Sequence, residues 1–164
     1  MSILSRRTAI IGAVAIAVAA GGAFALTSTF GDFQEYEAAQ VYANDGVAID
    51  GTDPVSYFLN GAPVAGDPAI TADWSGATWR FASAENRDLF LSDPAKYAPQ
   101  YGGFCAWAVA ERGKLFSTDP NAWKIVDGKL YLNFNQDIQK KWEADIPSFI
   151  SEGDRRWPEI SSES

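Results

Sequence analysis

The dipeptide Asp127-Gly128 separates two runs rich in β-branched and aromatic residues, 123–126 and 129–134. An Asp-Gly pair between such runs is the strongest short-range signal for a β-hairpin, because both residues tolerate the backbone angles of a tight turn. The pattern therefore predicts two antiparallel strands joined by a two-residue turn.

A second hairpin is predicted over residues 70–81. Gly76 supplies its turn, and Trp74, Trp79 and Phe81 supply its apolar face. Two aromatic-rich hairpins in a chain of 164 residues indicate one compact domain with a real core.

Helical signals follow both hairpins. Ser83 is a good N-cap for a helix over residues 84–92, with Leu89 and Phe90 as its buried side chains. Asn135 precedes a longer pattern over 136–152, in which four apolar residues recur on one helical face. These four residues are Ile138, Trp142, Ile146 and Phe149. Pro147 interrupts this pattern and predicts two helical pieces. We therefore expect a small α+β domain of two antiparallel hairpins with packed helices, including a C-terminal helix.

The N-terminus has the features of an export leader. Arg6 and Arg7 precede an uncharged apolar stretch, and Ala23-Phe24-Ala25 ends it like a cleavage site. The paired arginines favour the twin-arginine route. Residues 1–25 are thus predicted to be a signal peptide, which makes the domain periplasmic or otherwise exported. An uncleaved membrane anchor is the alternative, with the domain still outside the cytoplasm.

The rest of the chain divides into three predicted parts. Residues 26–45 are expected to be a linker, 46–158 the domain and 159–164 a tail. Trp157-Pro158 is expected to close the domain.

Composition excludes several functions. The formal charge is −8, from 13 basic and 21 acidic residues, so a phosphate backbone is repelled and nucleic acid is not an expected partner. The chain has no histidine, which excludes a Ser-His-Asp triad and a histidine zinc site. A single cysteine excludes an internal disulfide.

Cys105 is the strongest candidate for chemistry, because a thiol is the best nucleophile and soft-metal ligand in this chain. It follows Gly102 and Gly103 and lies in an apolar run, 104–110, most of which should be buried. A free cysteine is also one of the most commonly buried residues, so simple packing is the competing interpretation.

Three segments read together resemble a known family. Residues 53–58, 74–86 and 97–105 are similar in order and spacing to a YHS domain, and more closely to the exported bacterial group of YHS domain-containing (seleno)proteins. The resemblance extends over about residues 47–158.

The resemblance implies a small metal-module-like fold, but the family's metal ligands are missing. Metal-binding members carry cysteines where this chain has Ser56 and Ala82. Cys105 remains, at a position where some similar proteins use selenocysteine. The resemblance therefore implies a nucleophilic or soft-ligand role for Cys105.

A site can be sketched around this thiol. A helix beginning near Phe104 would place Cys105 in its first turn, where the helix dipole lowers a thiol pKa. Asp53 or Tyr57 is expected to face the sulfur as a second ligand or hydrogen-bond partner.

Three functions compete. The first is a soft-metal module centred on Cys105, which binds copper or another soft metal and has an unidentified protein or metal donor as its partner. Met1, the only methionine, leaves with the leader, so no thioether ligand remains. The second is a redox thiol protein that acts through Cys105 with an external thiol, since no resolving cysteine exists. The third is a structural or interaction domain. No hydrolase or transferase constellation is present, so an enzyme is not expected.

Overall fold

The computed structural model describes residues 35–36 and 39–162. The predicted signal peptide, residues 1–25, lies outside the described residues. Within the described part, short strands alternate with helices in this order: β1 (Glu35–Tyr36), β2 (Ala43–Asn44), β3 (Val47–Ala48), a 3-10 turn (Ile49–Gly51), α1 (Ser56–Leu59), β4 (Asp67–Trp74), β5 (Ala77–Phe81), α2 (Ala84–Ser92), α3 (Pro94–Tyr97), a 3-10 turn (Gln100–Gly103), α4 (Ala106–Arg112), β6 (Leu115–Phe116), β7 (Asp119–Val126), β8 (Lys129–Asn133), α5 (Gln136–Glu143) and α6 (Ile146–Ile160). The α+β prediction is confirmed.

Both predicted hairpins are present. Strands β4 and β5 pair antiparallel around Ser75 and Gly76, and β7 and β8 pair antiparallel around Asp127 and Gly128. All four turn residues have positive φ, which is the backbone geometry that a two-residue hairpin turn requires. Strand β5 also pairs in parallel with β3, so the first sheet has the order β2-β3-β5-β4.

Helix α2 has the predicted bounds, and the Ser83 side chain accepts a hydrogen bond from Asn86 N–H as its cap. Phe90 is buried as predicted, and its ring contacts those of Trp79 and Phe81. The prediction for Leu89 is wrong, because this side chain is 38% exposed. Phe90 is the buried side chain of this helix and packs on two aromatic rings of β5.

The C-terminal region forms two helices, as predicted. The break falls at Ala144 and Asp145, and Asp145 caps α6 with Pro147 in its first turn, where proline is tolerated. Helix α6 then continues to Ile160, well past the predicted end at Glu152. Pro158 lies inside this helix, so the expectation that Trp157-Pro158 closes the domain is wrong.

The predicted apolar face of these helices is partly buried. Ile138 and Trp142 on α5 are fully enclosed, whereas Ile146 and Phe149 on α6 are half-buried. Helix α6 packs closely on α4, and its buried Gly153 lies directly against the ring of Tyr101.

Part of the segment expected to be a linker belongs to the fold. Strand β1 pairs with β6, where Glu35 lies opposite Phe116. Val41 and Tyr42 are buried, and Tyr42 N–H donates to the Gly102 carbonyl at 3.0 Å. No helix in the described part of the chain is long and apolar enough to cross a membrane.

Candidate functional site

Cys105 lies immediately before helix α4. The helix begins at Ala106, so the thiol occupies the N-cap position and not the first turn that the sequence predicted. Its N–H donates to the Phe116 carbonyl of β6 at 3.0 Å. The residue is fully buried, as is most of the apolar run 104–110, in agreement with the sequence.

The sulfur is held between α4 and the end of β8. Phe134 N–H donates to Cys105 Sγ at 3.3 Å, and the thiol donates to Asn133 Oδ1 at 3.8 Å. The same oxygen accepts a hydrogen bond from Trp107 N–H at 3.2 Å. Asn133 is itself fully buried, and its Nδ2 has no hydrogen-bond partner among the described residues.

The thiol is electrostatically disfavoured as an anion. Burial raises the pKa of Cys105 from 9.0 to about 11, because the enclosing apolar residues desolvate the thiolate. Backbone hydrogen bonds from Ala108, Phe134 and Trp107 oppose this change and lower the pKa, but burial dominates. The expected lowering of the pKa by the helix is therefore wrong in its net direction.

Asp53 is a fully buried carboxylate whose two oxygens both accept hydrogen bonds. One oxygen accepts Val55 N–H at 2.8 Å, and the other accepts Ala82 N–H at 2.8 Å and Asn86 Nδ2 at 2.6 Å. The side chain thus connects the start of α1 to the end of β5 and to α2.

Tyr57 is buried on helix α1 and faces strand β7. Its hydroxyl donates to the Pro120 carbonyl at 2.9 Å, and its ring meets that of Trp123 at 5.1 Å between centroids. Burial raises the pKa of the Tyr57 hydroxyl well above its usual value, with the Asp119 charge acting in the same direction. Tyr57 is therefore a neutral donor at physiological pH.

The three predicted site residues have different bonding partners. Cys105 bonds to β6 and to the end of β8, Asp53 to β5 and α2, and Tyr57 to β7. In the described part of the chain, these hydrogen bonds do not join any two of the three residues. No group of three or more aspartate, glutamate or cysteine residues placed to hold one metal ion occurs among the described residues.

The two positions where the resembled family carries cysteine have structural roles here. Ser56 is buried; its Oγ donates to the Asp53 carbonyl at 2.7 Å and accepts Val64 N–H at 3.1 Å. Ala82 is exposed, and its backbone N–H is one of the donors to the Asp53 carboxylate.

A groove of about 290 Å³ is lined by none of the three predicted site residues. We call it the aromatic groove, and its principal lining residues are Gln40, Trp74, Trp79, Gln100, Tyr101 and Trp157. Sequence analysis missed this groove and the role of Asn133. The sequence pattern of the aromatic residues indicates core positions and not a groove. For Asn133, no neighbouring residue in the sequence indicates a contact with Cys105, which lies 28 residues earlier in the chain.

Comparisons of the chain with protein-family models, with curated proteins and with solved structures find no match. The resemblance to YHS domains therefore stays a prediction based on the residues given above.

Proposed function

We propose that this chain is an exported, non-enzymatic binding domain of the YHS-like type, in which Cys105 is a structural thiol. The enclosure of the sulfur carries this proposal: Cys105 is fully buried, and Phe134 N–H donates to its Sγ at 3.3 Å. These contacts tie the start of α4 to the end of β8. The leader-like residues 1–25 support export.

A thiol in this state is poorly suited to nucleophilic or redox chemistry. With a pKa of about 11, only about one Cys105 side chain in 10⁴ is ionised at pH 7, and the thiolate is the reactive form. A reagent also has to reach a side chain with no exposed surface. Both factors make the folded protein's thiol slow to react.

The surroundings of the sulfur are also unfavourable for a soft metal such as copper. A metal ion needs several ligands around it, and no group of three or more aspartate, glutamate or cysteine side chains placed to hold one occurs among the described residues. Asp53 and Tyr57, the predicted partner ligands, already hold α1 to neighbouring elements through their hydrogen bonds. Those bonds would have to break before either side chain could serve a metal.

The test compares the protein with Cys105→Ser by elemental mass spectrometry after incubation with copper and with zinc. We expect no difference in bound metal between the two proteins. About one metal ion per chain that is lost in Cys105→Ser would overturn the proposal in favour of a metal module.

Thiol alkylation supplies the second measurement. We expect Cys105 to react with iodoacetamide slowly in the folded protein and fully in denaturant, because unfolding removes the enclosure. Equally rapid alkylation in both conditions would overturn the structural role and favour a redox thiol.

One observation favours the redox alternative as a second candidate. The unpartnered Nδ2 of buried Asn133 belongs to the amide whose Oδ1 lies 3.8 Å from Cys105 Sγ. If a peroxide oxidised the thiol to a sulfenic acid, with water as the second product, this N–H would be a donor for the new oxygen. This candidate predicts that peroxide adds one oxygen to Cys105 in the folded protein, and more slowly in Asn133→Leu; no oxidation of the folded protein would exclude it.

A further inference from the structure

We propose that the aromatic groove binds a small organic cation that carries a methylated ammonium group. This inference rests on the binding function proposed above and names its ligand class. A cation of this kind is attracted to the faces of aromatic rings, most strongly to tryptophan, when it lies within about 6 Å of the ring centre.

The groove is lined by two pairs of aromatic rings. Trp74 and Trp79 meet at 5.9 Å between centroids and 60° between planes. Tyr101 and Trp157 meet at 6.0 Å and 55°. Trp79 and Tyr101 are buried, and Trp74 and Trp157 are half-buried, so the latter two present ring surface to a ligand.

The charges around the groove favour a cation over an anion. Among the described residues that line the groove, none is charged, so no lysine or arginine is available to bind an anion. The hydroxyl of Tyr101 donates to the carboxylate of Asp154 at 3.0 Å, which places a negative charge one hydrogen bond away from a lining ring. The net charge of −8 adds a long-range attraction for positive ligands.

The size of the groove limits the ligand. A volume of about 290 Å³ lies at the lower end of the range for small-molecule sites. It suits a compact ligand such as choline, and the lining residue Gln100 adds an amide group that can bind the hydroxyl of such a ligand.

The groove is also built on fixed backbone. A Cβ on Gly102 would collide with the carbonyl oxygen of Gln40, so only glycine permits this close approach of the two segments. Gln40 Nε2 donates to the Ser161 carbonyl at 2.9 Å, which connects this segment to the end of α6. A wall held in this way loses little entropy when a ligand binds.

The test is a calorimetric and tryptophan-fluorescence titration with choline and with 3,3-dimethylbutan-1-ol, its neutral isostere. We expect choline to bind about tenfold more tightly, because only the cation gains the attraction to the rings. Equal affinities, or no binding of choline at high millimolar concentration, would overturn the proposal.

Groove variants localise the binding. Trp74→Ala and Trp157→Ala should each weaken choline binding about tenfold. Asp154→Asn keeps an acceptor for the Tyr101 hydroxyl but removes the charge, and should weaken binding about threefold. Trp157→Phe, which keeps a smaller ring, should give an intermediate loss if Trp157→Ala fails to fold.

The matched control is Trp123→Ala. Trp123 is also half-buried and paired with a tyrosine, but it lies outside the groove, against Tyr57. It should leave choline binding unchanged, and a loss equal to that of Trp157→Ala would overturn the assignment to the groove.

The two proposals fail in different ways. If choline does not bind while Cys105 stays unreactive and free of metal, the proposed ligand class is wrong and the structural role of the thiol stands. Rapid alkylation or metal binding at Cys105, with choline still bound, removes the structural role of the thiol and leaves the groove assignment in place.

Discussion

Asp53 shows how one buried side chain determines the local fold. A carboxylate without exposed surface is costly unless its oxygens are hydrogen-bonded, and here three donors from three places in the chain meet it. The contact with Asn86 fixes α2 against the turn that precedes α1. Asp53 therefore has a structural reason to be buried that does not depend on any ligand.

We predict that Asp53→Ala lowers the free energy of unfolding by about 3 kcal/mol, because the substitution leaves the N–H groups of Val55 and Ala82 and the Asn86 amide without an acceptor. Urea denaturation measures the change. Asp67→Ala is the control: its carboxylate accepts a single exposed N–H, from Ala69, and should cost under about 1 kcal/mol. Equal losses in the two variants would contradict this prediction.

The raised pKa of Cys105 predicts a dependence of stability on alkaline pH. The unfolded thiol ionises near pH 9 and the folded thiol near pH 11, so the contribution to stability is complete below pH 9 and is lost as the pH rises towards 11. A difference of two pKa units between the folded and unfolded thiol corresponds to about 2 to 3 kcal/mol in the free energy of unfolding.

The measurement is the difference in unfolding free energy between the protein and Cys105→Ala, at pH 8 and at pH 10.5. Tyrosine and lysine titrations occur in both proteins and cancel in this difference. We expect the advantage of the natural residue to shrink by about 2 kcal/mol at the higher pH. A constant difference would show that the folded thiol ionises normally.

Helices and strands could be predicted where the residues that indicate them are close together in the sequence. The turn at Asp127-Gly128 and the cap at Ser83 each act within a few residues, and the structure confirms both elements. The end of α6 at Ile160 could not be predicted in this way, because Gly153 and Pro158 both disfavour a helix. Packing of α6 on α4 outweighs that local preference.

At Gly153, we expect contacts with a neighbouring ring to reverse the usual stabilising effect of a Gly→Ala substitution in a helix. Gly→Ala inside a helix normally stabilises by about 1 kcal/mol. Here a Cβ would lie 2.5 Å from the hydroxyl oxygen and 2.7 Å from Cζ of Tyr101, a buried ring whose hydroxyl is already bonded to Ile150 and Asp154. Gly153→Ala should therefore destabilise the protein by about 2 kcal/mol in thermal or urea unfolding.

Ser151→Ala is the matched control on the same helix. Ser151 is exposed, so the substitution meets no neighbour and should stabilise the helix by a few tenths of a kcal/mol. A stabilising effect of Gly153→Ala would show that Tyr101 moves aside at little cost.

At the scale of the whole molecule, the candidate site was the least predictable part. Cys105 was identified from the sequence because a lone thiol is chemically conspicuous. Its partner Asn133 and the pairing of Trp157 with Tyr101 depend on contacts between distant parts of the chain, which no local pattern encodes. The sequence also could not predict that burial would outweigh the helix terminus in setting the thiol pKa.

Export is a whole-molecule prediction that rests on the leader-like pattern of residues 1–25. We expect the exported protein to lack residues 1–25 by intact mass spectrometry, and we expect the Arg6→Lys, Arg7→Lys double variant to accumulate in the cytoplasm. Normal export of the double variant would indicate the general secretory route. An uncleaved chain in the membrane fraction would indicate an anchor.

The pairing of β1 with β6 has a consequence for how the protein is made. Glu35 belongs to the first described strand, yet its partner Phe116 is synthesised only after most of the domain. The main-chain hydrogen bond from Tyr42 likewise cannot form until Gly102 has been synthesised. Contacts this distant in sequence form slowly, and a chain emerges from the ribosome N-terminus first. The described residues before position 43 are therefore among the first to be synthesised and the last to form their tertiary contacts.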